Sequence, residues 1–322
     1  MVAMLSGVSG GALGFASYVA RTLDGPPPMH VKRDWVESAL GDDYLAAAIG
    51  WMVYVDTPRS LLGFGSRIRD RSDIMEEAWE ASWGDDVAGL RHGVLDVWQR
   101  GPAAPAFVFN GTSVNDACRF SASAFDISGA AADVTGCAGT SADDGADPGG
   151  PFAATYDMTD FLCVNEDVRL STAVSMSARF PIVATSGRMA GDPSVPCRSR
   201  SDQAVYVVDG GYLEGTGAGT LMEGWDALAP FVESYNAGNV DRCVVPFMIH
   251  IDNGYEGSGA GDGGPPPREL LVPVKTLVTS QSGRFIAARS AAALAFEQPY
   301  TEAGFPITVA ERGTNGEAPL DG

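Results

Sequence analysis

The chain has 322 residues, a hydrophobic content of 45% and a formal net charge of −20. This composition is typical of a globular protein with enough apolar material for a large core. Because so acidic a surface repels phosphate backbones, we expect no nucleic-acid partner. The acidic, alanine-, glycine- and aspartate-rich, lysine-poor composition is also typical of a GC-rich bacterial genome or of a salty habitat.

The sequence predicts neither a signal peptide nor a membrane span. No basic segment precedes the first apolar run. The longest apolar stretch, Tyr44 to Val55, has about 12 residues, whereas a transmembrane helix needs roughly 20. We therefore expect a soluble or peripheral protein.

The five cysteines contain no CxxC pair, so we predict no zinc site. We also expect no other metal site and no cofactor. An odd number of cysteines in so large a chain is not typical of a disulfide scaffold. One bridge stays open if the domain is exported. It would join two of Cys118, Cys137, Cys163 and Cys197.

In chain order, the first predicted elements are a buried strand over 2–8 and a mostly apolar helix over 10–23. A Gly-Pro-Pro-Pro sequence ends that helix. Residues 34–100 carry apolar positions at helical spacing, and we expect 25–100 to form a mainly helical cap or insertion. Residues 105–112 and 119–126 then predict two paired strands. Asn110-Gly111-Thr112, at the end of the first, is interpreted as turn chemistry.

The rest of the chain alternates loops, helices and strands. The low-complexity stretches 128–152 and 253–267 predict flexible loops. Helices are predicted over 165–179, capped by Asn165 or Asp167, from about Gly217, and around 277–297. Strands are predicted over 204–209, over 242–252 and in the final Phe-Pro-Ile-Thr-Val-Ala sequence. Because strands alternate with helices and no repeat occurs, we predict one α/β domain over 1–322.

Ser9 lies within Gly7-Val8-Ser9-Gly10-Gly11, at the junction of the first strand and helix. A GxSxG sequence in this position is typical of a nucleophile elbow, where glycines make room for a strained turn. The serine hydroxyl then projects at the N-terminus of a helix, whose dipole favours a developing negative charge. Ser9 is therefore a candidate nucleophile.

Two residues are candidates for the base that such a serine needs. Asp209 ends an apolar strand and precedes Gly210-Gly211, so its carboxylate would reach the same sheet edge as Ser9 if the strands are parallel. His250 lies near the end of the apolar stretch 242–252. Asp209 has a bland alternative as part of a turn, and His250 as a core residue between two isoleucines.

Three motifs together resemble the patatin-like phospholipase family. They are the GxSGG elbow at Ser9, the Ser/Ala-rich stretch 171–181 that ends in S-A-x-x-P, and the D-G-G sequence beginning at Asp209 with its following helix. The resemblance implies a three-layer α/β/α fold and a serine–aspartate dyad, with Ser9 as nucleophile and Asp209 as base. It makes the Gly10 N–H an oxyanion donor and assigns motif positions to Gly7, Gly11, Gly210 and Gly211.

The same resemblance implies hydrolysis of lipid esters, either phospholipid or acylglycerol, without a cofactor. It also implies a glycine-rich oxyanion loop before the elbow, which has no counterpart upstream of Ser9. We expect either an incomplete gene or domain, or an oxyanion hole that is built differently. Loss of one donor from such a hole costs about 10²- to 10³-fold in rate.

Two alternative functions therefore remain open, together with one open question about a local stretch. The chain could be a histidine-dependent esterase that uses His250. It could instead be a catalytically impaired patatin-like module, truncated or part of a membrane-associated protein, that binds lipid or a partner. The Trp- and Leu-rich stretch 49–64 is either an interfacial lid at a peripheral membrane surface or ordinary core.

Overall fold

The structure is a computed structural model, and it divides into two compact units, Met1–Leu213 and Glu214–Gly322. The residues that the structure describes are 2–23, 40–62, 69–84, 87–100, 105–125, 127, 152, 155–163, 166–180, 183–191, 204–239, 242–251 and 290–292. The predicted loop 253–267 and the predicted final strand lie outside them, as do all of 128–152 except Phe152. Of the helix predicted around 277–297, only 290–292 are described, and they are helical.

The first unit contains a mixed six-stranded sheet with helices, which confirms the predicted α/β class. Its strands are β1 (Met4–Val8), β2 (Ala106–Ser113), β3 (Arg119–Ser123), β4 (Thr155–Asp157), β5 (Gly187–Ala190) and β6 (Ala204–Asp209). The pairing order is β4-β3-β2-β6-β5, with β1 also paired to β2. The pairs β1–β2 and β3–β4 are parallel, and the others are antiparallel.

Strands β1 and β6 share one edge of β2 and meet end to end. Strand β3 occupies the other edge, opposite Val108 to Thr112. Along the shared edge, β1 pairs with Ala106 to Asn110 in parallel and β6 pairs with Gly111 to Ser113 in antiparallel. The carboxyl ends of β1 and β6 therefore point at each other. The sequence predicts that Asp209 reaches Ser9 if β1 and β6 are parallel. The two strands instead run in opposite directions, so that condition is wrong, yet their carboxyl ends still meet.

The helices of the first unit precede and follow the central strand β2. They are α1 (Gly10–Leu23), α2 (Tyr44–Trp51), α3 (Thr57–Leu61), α4 (Arg71–Ala81), α5 (Val94–Arg100) and α6 (Leu170–Ser177), with a π-helical turn at Met52–Asp56 between α2 and α3. The described residues of 34–100 are mainly helical, as predicted, with non-helical connections at 41–43, 69–70, 82–84, 87–88 and 92–93. Every residue of β2 after Ala106 is buried, and because side chains alternate across a strand, both of its faces are covered.

Helix α6 begins later than predicted, and its predicted cap serves another helix. The helix starts at Leu170 after Arg169, without a side-chain cap. The Asp167 carboxylate instead accepts the N–H groups of Leu95 and Asp96, each at 3.0 Å, in the first turn of α5. Val168 and Arg169 are extended because their backbone pairs with residues 92–94. A capping residue in sequence does not specify which helix it caps.

A layer of buried polar contacts joins α4 to α6. Glu80 accepts the hydroxyl of Ser171 at 2.6 Å, and Glu76 accepts that of Thr172 at 2.7 Å. The Arg179 guanidinium, also buried, donates to Glu76 at 3.4 Å. This layer explains why one face of α6 carries hydroxyl side chains while Ala173 and Val174 belong to the apolar core.

The second unit contains helix α7 (Ala218–Gly238), which begins after Gly217 as predicted. The buried strand predicted over 242–252 is wrong. Its described residues, 242–251, form no strand, and their apolar side chains are exposed, Phe247 by 66% and Ile251 by 74%. The apolar run identified residues able to be buried, but a strand also requires a neighbouring strand to accept its backbone hydrogen bonds.

The cysteines and the helices bear on the redox and membrane environment of the chain. Cys118 and Cys163 are each disulfide-bonded, whereas Cys243 is a free, exposed thiol. Disulfide bonds persist in oxidising surroundings and are rare in reducing ones. Among the described helices, none is both long enough and apolar enough to cross a lipid bilayer.

Candidate active site

Ser9 forms the turn between β1 and α1 and has a backbone φ of 53°. A left-handed conformation is uncommon for a residue other than glycine and costs about 1–3 kcal/mol. Gly7 makes this turn sterically feasible, because a Cβ at that position would lie 2.8 Å from backbone atoms of Ala12. The structure thus places Ser9 in the strained strand-to-helix turn that the sequence predicts.

The Ser9 hydroxyl donates a hydrogen bond to Asp209 Oδ2 at 2.7 Å. Asp209 is the last residue of β6, and the end-to-end meeting of β1 and β6 brings the two residues together across 200 positions of sequence. The other carboxylate oxygen, Oδ1, accepts the N–H of Gly211 at 2.8 Å. Both oxygens are therefore held, and the hydroxyl proton of Ser9 is directed at a carboxylate.

Gly210 allows the chain to leave β6 directly beside β2. A Cβ at Gly210 would lie 2.0 Å from the carbonyl oxygen of Asn110. No side chain other than hydrogen fits that space, and the close approach fixes the start of the turn after Asp209. The two glycines that follow the aspartate thus have different functions, since Gly210 provides clearance and Gly211 provides an N–H donor.

Burial raises the pKa of the Asp209 carboxyl above its usual 3.8, while the hydrogen bonds from Gly211 and Ser9 oppose that rise. Its side chain is buried, so little water solvates its charge. A raised proton affinity is what a carboxylate needs to accept a proton from a hydroxyl near neutral pH. The pKa of Tyr212 is also raised, first because its hydroxyl is partly desolvated and second because of the negative charge on Asp209.

The first turn of α1 presents two backbone amides beside Ser9. Gly10 and Gly11 are exposed, and a Cβ on either residue would meet no atom within 4 Å. The first N–H groups of a helix have no intrahelical acceptor, and the helix dipole is positive there. This open, positively polarised position is suited to an oxyanion that forms next to Ser9 Oγ.

Two residues at the site were missed by the sequence reasoning. Ser177 Oγ accepts the backbone N–H of Ser9 at 3.0 Å and donates to the carbonyl oxygen of Asn110 at 2.6 Å. The Asn110 side chain donates to Ser6 Oγ and to the carbonyl of Gly7. The interpretation of Asn110-Gly111-Thr112 as turn chemistry is wrong, since all three lie buried within β2. The S-A-x-x-P motif that contains Ser177 was the available signal.

His250 does not take part in the hydrogen bond of Ser9. A serine hydroxyl has one proton, and here that proton points to Asp209. His250 belongs to the second unit, in the stretch that forms no strand. Its side chain is half-buried and its stretch forms no strand, so the interpretation of His250 as a core strand residue is wrong.

The stretch from Ile49 to Leu62 is largely exposed, contrary to the interpretation as ordinary core. Tyr54 is 81% exposed and Leu61 is 82% exposed, and Ile49, Val53 and Leu62 are also exposed. Within the stretch, Asp56 forms an ion pair with Arg71 at 2.9 Å, and Arg71 also donates to the carbonyl of Val183. The Arg69 guanidinium lies 5.5 Å from the centre of the Trp51 ring. The exposed apolar residues thus belong to a segment that is held against α4 and against Arg69 shortly before it.

Comparisons with protein-family models, with curated proteins and with solved structures yield no match to this chain. Within the described ranges, no group of three or more His, Cys, Asp or Glu side chains is arranged to hold a metal ion. The arrangement at Ser9 therefore has to be interpreted from its own geometry.

Proposed function

We propose that the chain is a serine acyl hydrolase in which Ser9 is the nucleophile and Asp209 is the general base. The single observation that carries this proposal is the 2.7 Å hydrogen bond from Ser9 Oγ to Asp209 Oδ2, made by a serine with a φ of 53°. Strain of this kind is concentrated at functional sites, and here it coincides with a carboxyl group whose pKa is raised by burial.

The reaction proceeds in two half-reactions. Asp209 takes the Ser9 proton as Oγ attacks the ester carbonyl, and the resulting oxyanion is stabilised by the N–H of Gly10 and the dipole of α1. Collapse of the tetrahedral intermediate breaks the ester C–O bond, and Asp209 returns the proton to the departing alcohol. Asp209 then deprotonates a water that attacks the acyl-enzyme, which releases the acid and restores Ser9.

The fold assignment that goes with this proposal is a three-layer α/β/α domain of the patatin-like type. Both faces of β2 are covered, and the three motif segments come together at one place, around Ser9, Ser177 and Asp209. The exposed N-terminus of α1 has unhindered N–H groups at Gly10 and Gly11. These features support an oxyanion hole built from the first turn of the helix.

We infer that the substrates are lipid esters, either phospholipids or acylglycerols. The support is the exposed apolar surface from Ile49 to Leu62, which contains Tyr54, 81% exposed and of a residue type that favours lipid–water boundaries. A peripheral contact with an uncharged lipid surface fits a chain whose net charge of −20 opposes anionic membranes.

Labelling with a fluorophosphonate probe tests the proposal. We expect the wild-type chain to be labelled at Ser9, the Ser9→Ala variant to remain unlabelled, and the Asp209→Asn variant to react about 10³- to 10⁴-fold more slowly. Circular dichroism on all three proteins verifies the fold. If the folded wild type remains unlabelled, the hydrolase proposal is wrong and a module that only binds lipid or a partner is favoured.

A further inference from the structure

The backbone N–H of Ser9 is held by a side chain from a distant part of the sequence. It donates to Ser177 Oγ at 3.0 Å, across 168 residues of chain. Ser9 is in the left-handed region, where the backbone of a residue with a Cβ is strained and relaxes unless its surroundings hold it. The hydrogen bond to Ser177 holds the peptide group that contains the Ser9 N–H, and the orientation of this group determines that φ.

The orientation of the Ser177 hydroxyl is fixed on both sides. Its proton goes to the carbonyl oxygen of Asn110 at 2.6 Å, which leaves a lone pair directed at Ser9 N–H. The side chain is fully buried, so water does not replace either contact. Only a group that both donates and accepts completes this bridge, and a hydroxyl is the smallest such group.

The same stretch of chain also holds the second member of the dyad. The carbonyl oxygen of Arg179 accepts the backbone N–H of Asp209 at 3.1 Å. Ser177 and Arg179 are two residues apart at the end of α6, so one short segment contacts the backbone amides of both Ser9 and Asp209. The Arg179 guanidinium in turn donates to Glu76 and to the carbonyl of Thr185, which anchors this segment.

We propose that Ser177 is a positioning residue for the reaction at Ser9, an inference that rests on the proposed hydrolase function. It keeps Ser9 in its left-handed conformation, so that Oγ stays on Asp209 while the Gly10 and Gly11 amides stay directed at the substrate. Because the Ser9 N–H is hydrogen-bonded to the Ser177 hydroxyl, it does not serve as an oxyanion donor. Ser177 contacts neither the substrate nor the hydroxyl proton, and it acts only through the backbone of Ser9.

The consequence is a change in the rate of acylation without a change in substrate binding. A displacement of a reacting atom by about 1 Å costs up to roughly 10²-fold in rate. We therefore expect Ser177→Ala to lower both kcat for p-nitrophenyl butyrate and the rate of fluorophosphonate labelling by about 10- to 100-fold. KM should stay within about twofold of wild type, since the substrate contacts are unchanged.

Ser171→Ala is the matched control. Ser171 lies on the same helix, is equally buried and loses one hydrogen bond to a buried acceptor, Glu80, but it does not contact the dyad. We expect this variant to lose melting temperature as Ser177→Ala does while keeping the wild-type kcat. A merely structural role for Ser177 predicts equal losses of kcat in the two variants.

Ser177→Cys covers the case in which the alanine variant fails to fold. The thiol has the same shape as the hydroxyl side chain and is somewhat larger, but it is a weak acceptor, so a folded Ser177→Cys protein should also be labelled slowly. Wild-type labelling kinetics in either folded variant would overturn the positioning role while leaving the hydrolase proposal intact. A folded wild type that is never labelled would overturn the hydrolase proposal itself, and the positioning role with it.

Discussion

Two apolar stretches that end near a titratable residue have opposite structures. Residues 204–209 form β6, whose backbone pairs with β2 and β5 and whose last side chain, Asp209, receives the Ser9 hydroxyl. Residues 242–251, which contain His250, form no strand and leave Phe247 and Ile249 exposed. The two stretches differ because β6 has a neighbouring strand. It pairs with the part of the β2 edge that β1 leaves free, and this pairing both satisfies its backbone hydrogen bonds and buries it.

This comparison shows how packing gives an ordinary carboxylate the environment that the proposed base requires. Apolar residues before Asp209 are useful to the site because they are packed in a sheet, where they bury the carboxyl and raise its pKa. Equally apolar residues before His250 are exposed and create no such environment. Hydrophobicity in sequence is therefore informative about a site only when a tertiary partner converts it into burial.

The largest effect is expected from a pair of glycine-to-alanine substitutions, one directly after β6 and one shortly before 242–251. Gly210→Ala places a Cβ 2.0 Å from the Asn110 carbonyl oxygen, which forces β6 away from β2. We expect a loss of about 3 kcal/mol in the free energy of unfolding, measured by urea denaturation. Gly238→Ala, at the end of α7 before 242–251, meets no atom within 4 Å and should be neutral or slightly stabilising. Equal stability of both variants would contradict the close packing of β6 on β2.

Removing methyl groups from a matched pair of valines gives a smaller effect. Val207 is fully buried in β6, and Val207→Ala should lower the free energy of unfolding by about 2 kcal/mol through lost burial and a residual cavity. Val245 is 38% exposed, and Val245→Ala should change that free energy by less than about 0.5 kcal/mol. If Val245→Ala proves the more destabilising substitution, the stretch 242–251 is buried in solution.

The smallest change concerns only the pH dependence. Asp209 must be ionised to accept a proton, so kcat/KM should fall as the pH is lowered through its pKa, which burial places above 3.8. The midpoint of this acid limb should barely move with temperature, because carboxyl ionisation has little enthalpy, whereas an imidazole midpoint falls on warming. His250→Gln should leave the limb unchanged. A limb that disappears in this variant would assign the base to His250 instead.

Much of the local structure could be predicted because short-range patterns decide it. The bounds of α1 and β6 agree with those predicted from apolar periodicity and from the glycines that follow. The pairing of Ser9 with Asp209 in one place was also expected from the motifs, although through parallel strands. The catalytic function of the two residues stays a prediction that the labelling experiment tests.

What could not be predicted depends on contacts between distant parts of the chain. The end-to-end placement of β1 and β6 on β2 leaves no local signal, because each strand alone has an ordinary pattern. The S-A-x-x-P motif identifies the segment that contains Ser177, but only the folded chain places its hydroxyl on Ser9. Asp167 satisfies the pattern of a cap for α6 but caps α5.

The head-to-head meeting of β1 and β6 also bears on how the molecule is made. Ser9 leaves the ribosome early, whereas Asp209 follows 200 residues later. At about 5–20 residues per second, that interval lasts roughly 10–40 s. During this time the nascent chain contains Ser9 without Asp209. If the proposed hydrolase function holds, the chain is therefore inert until the edge of β2 has received both strands.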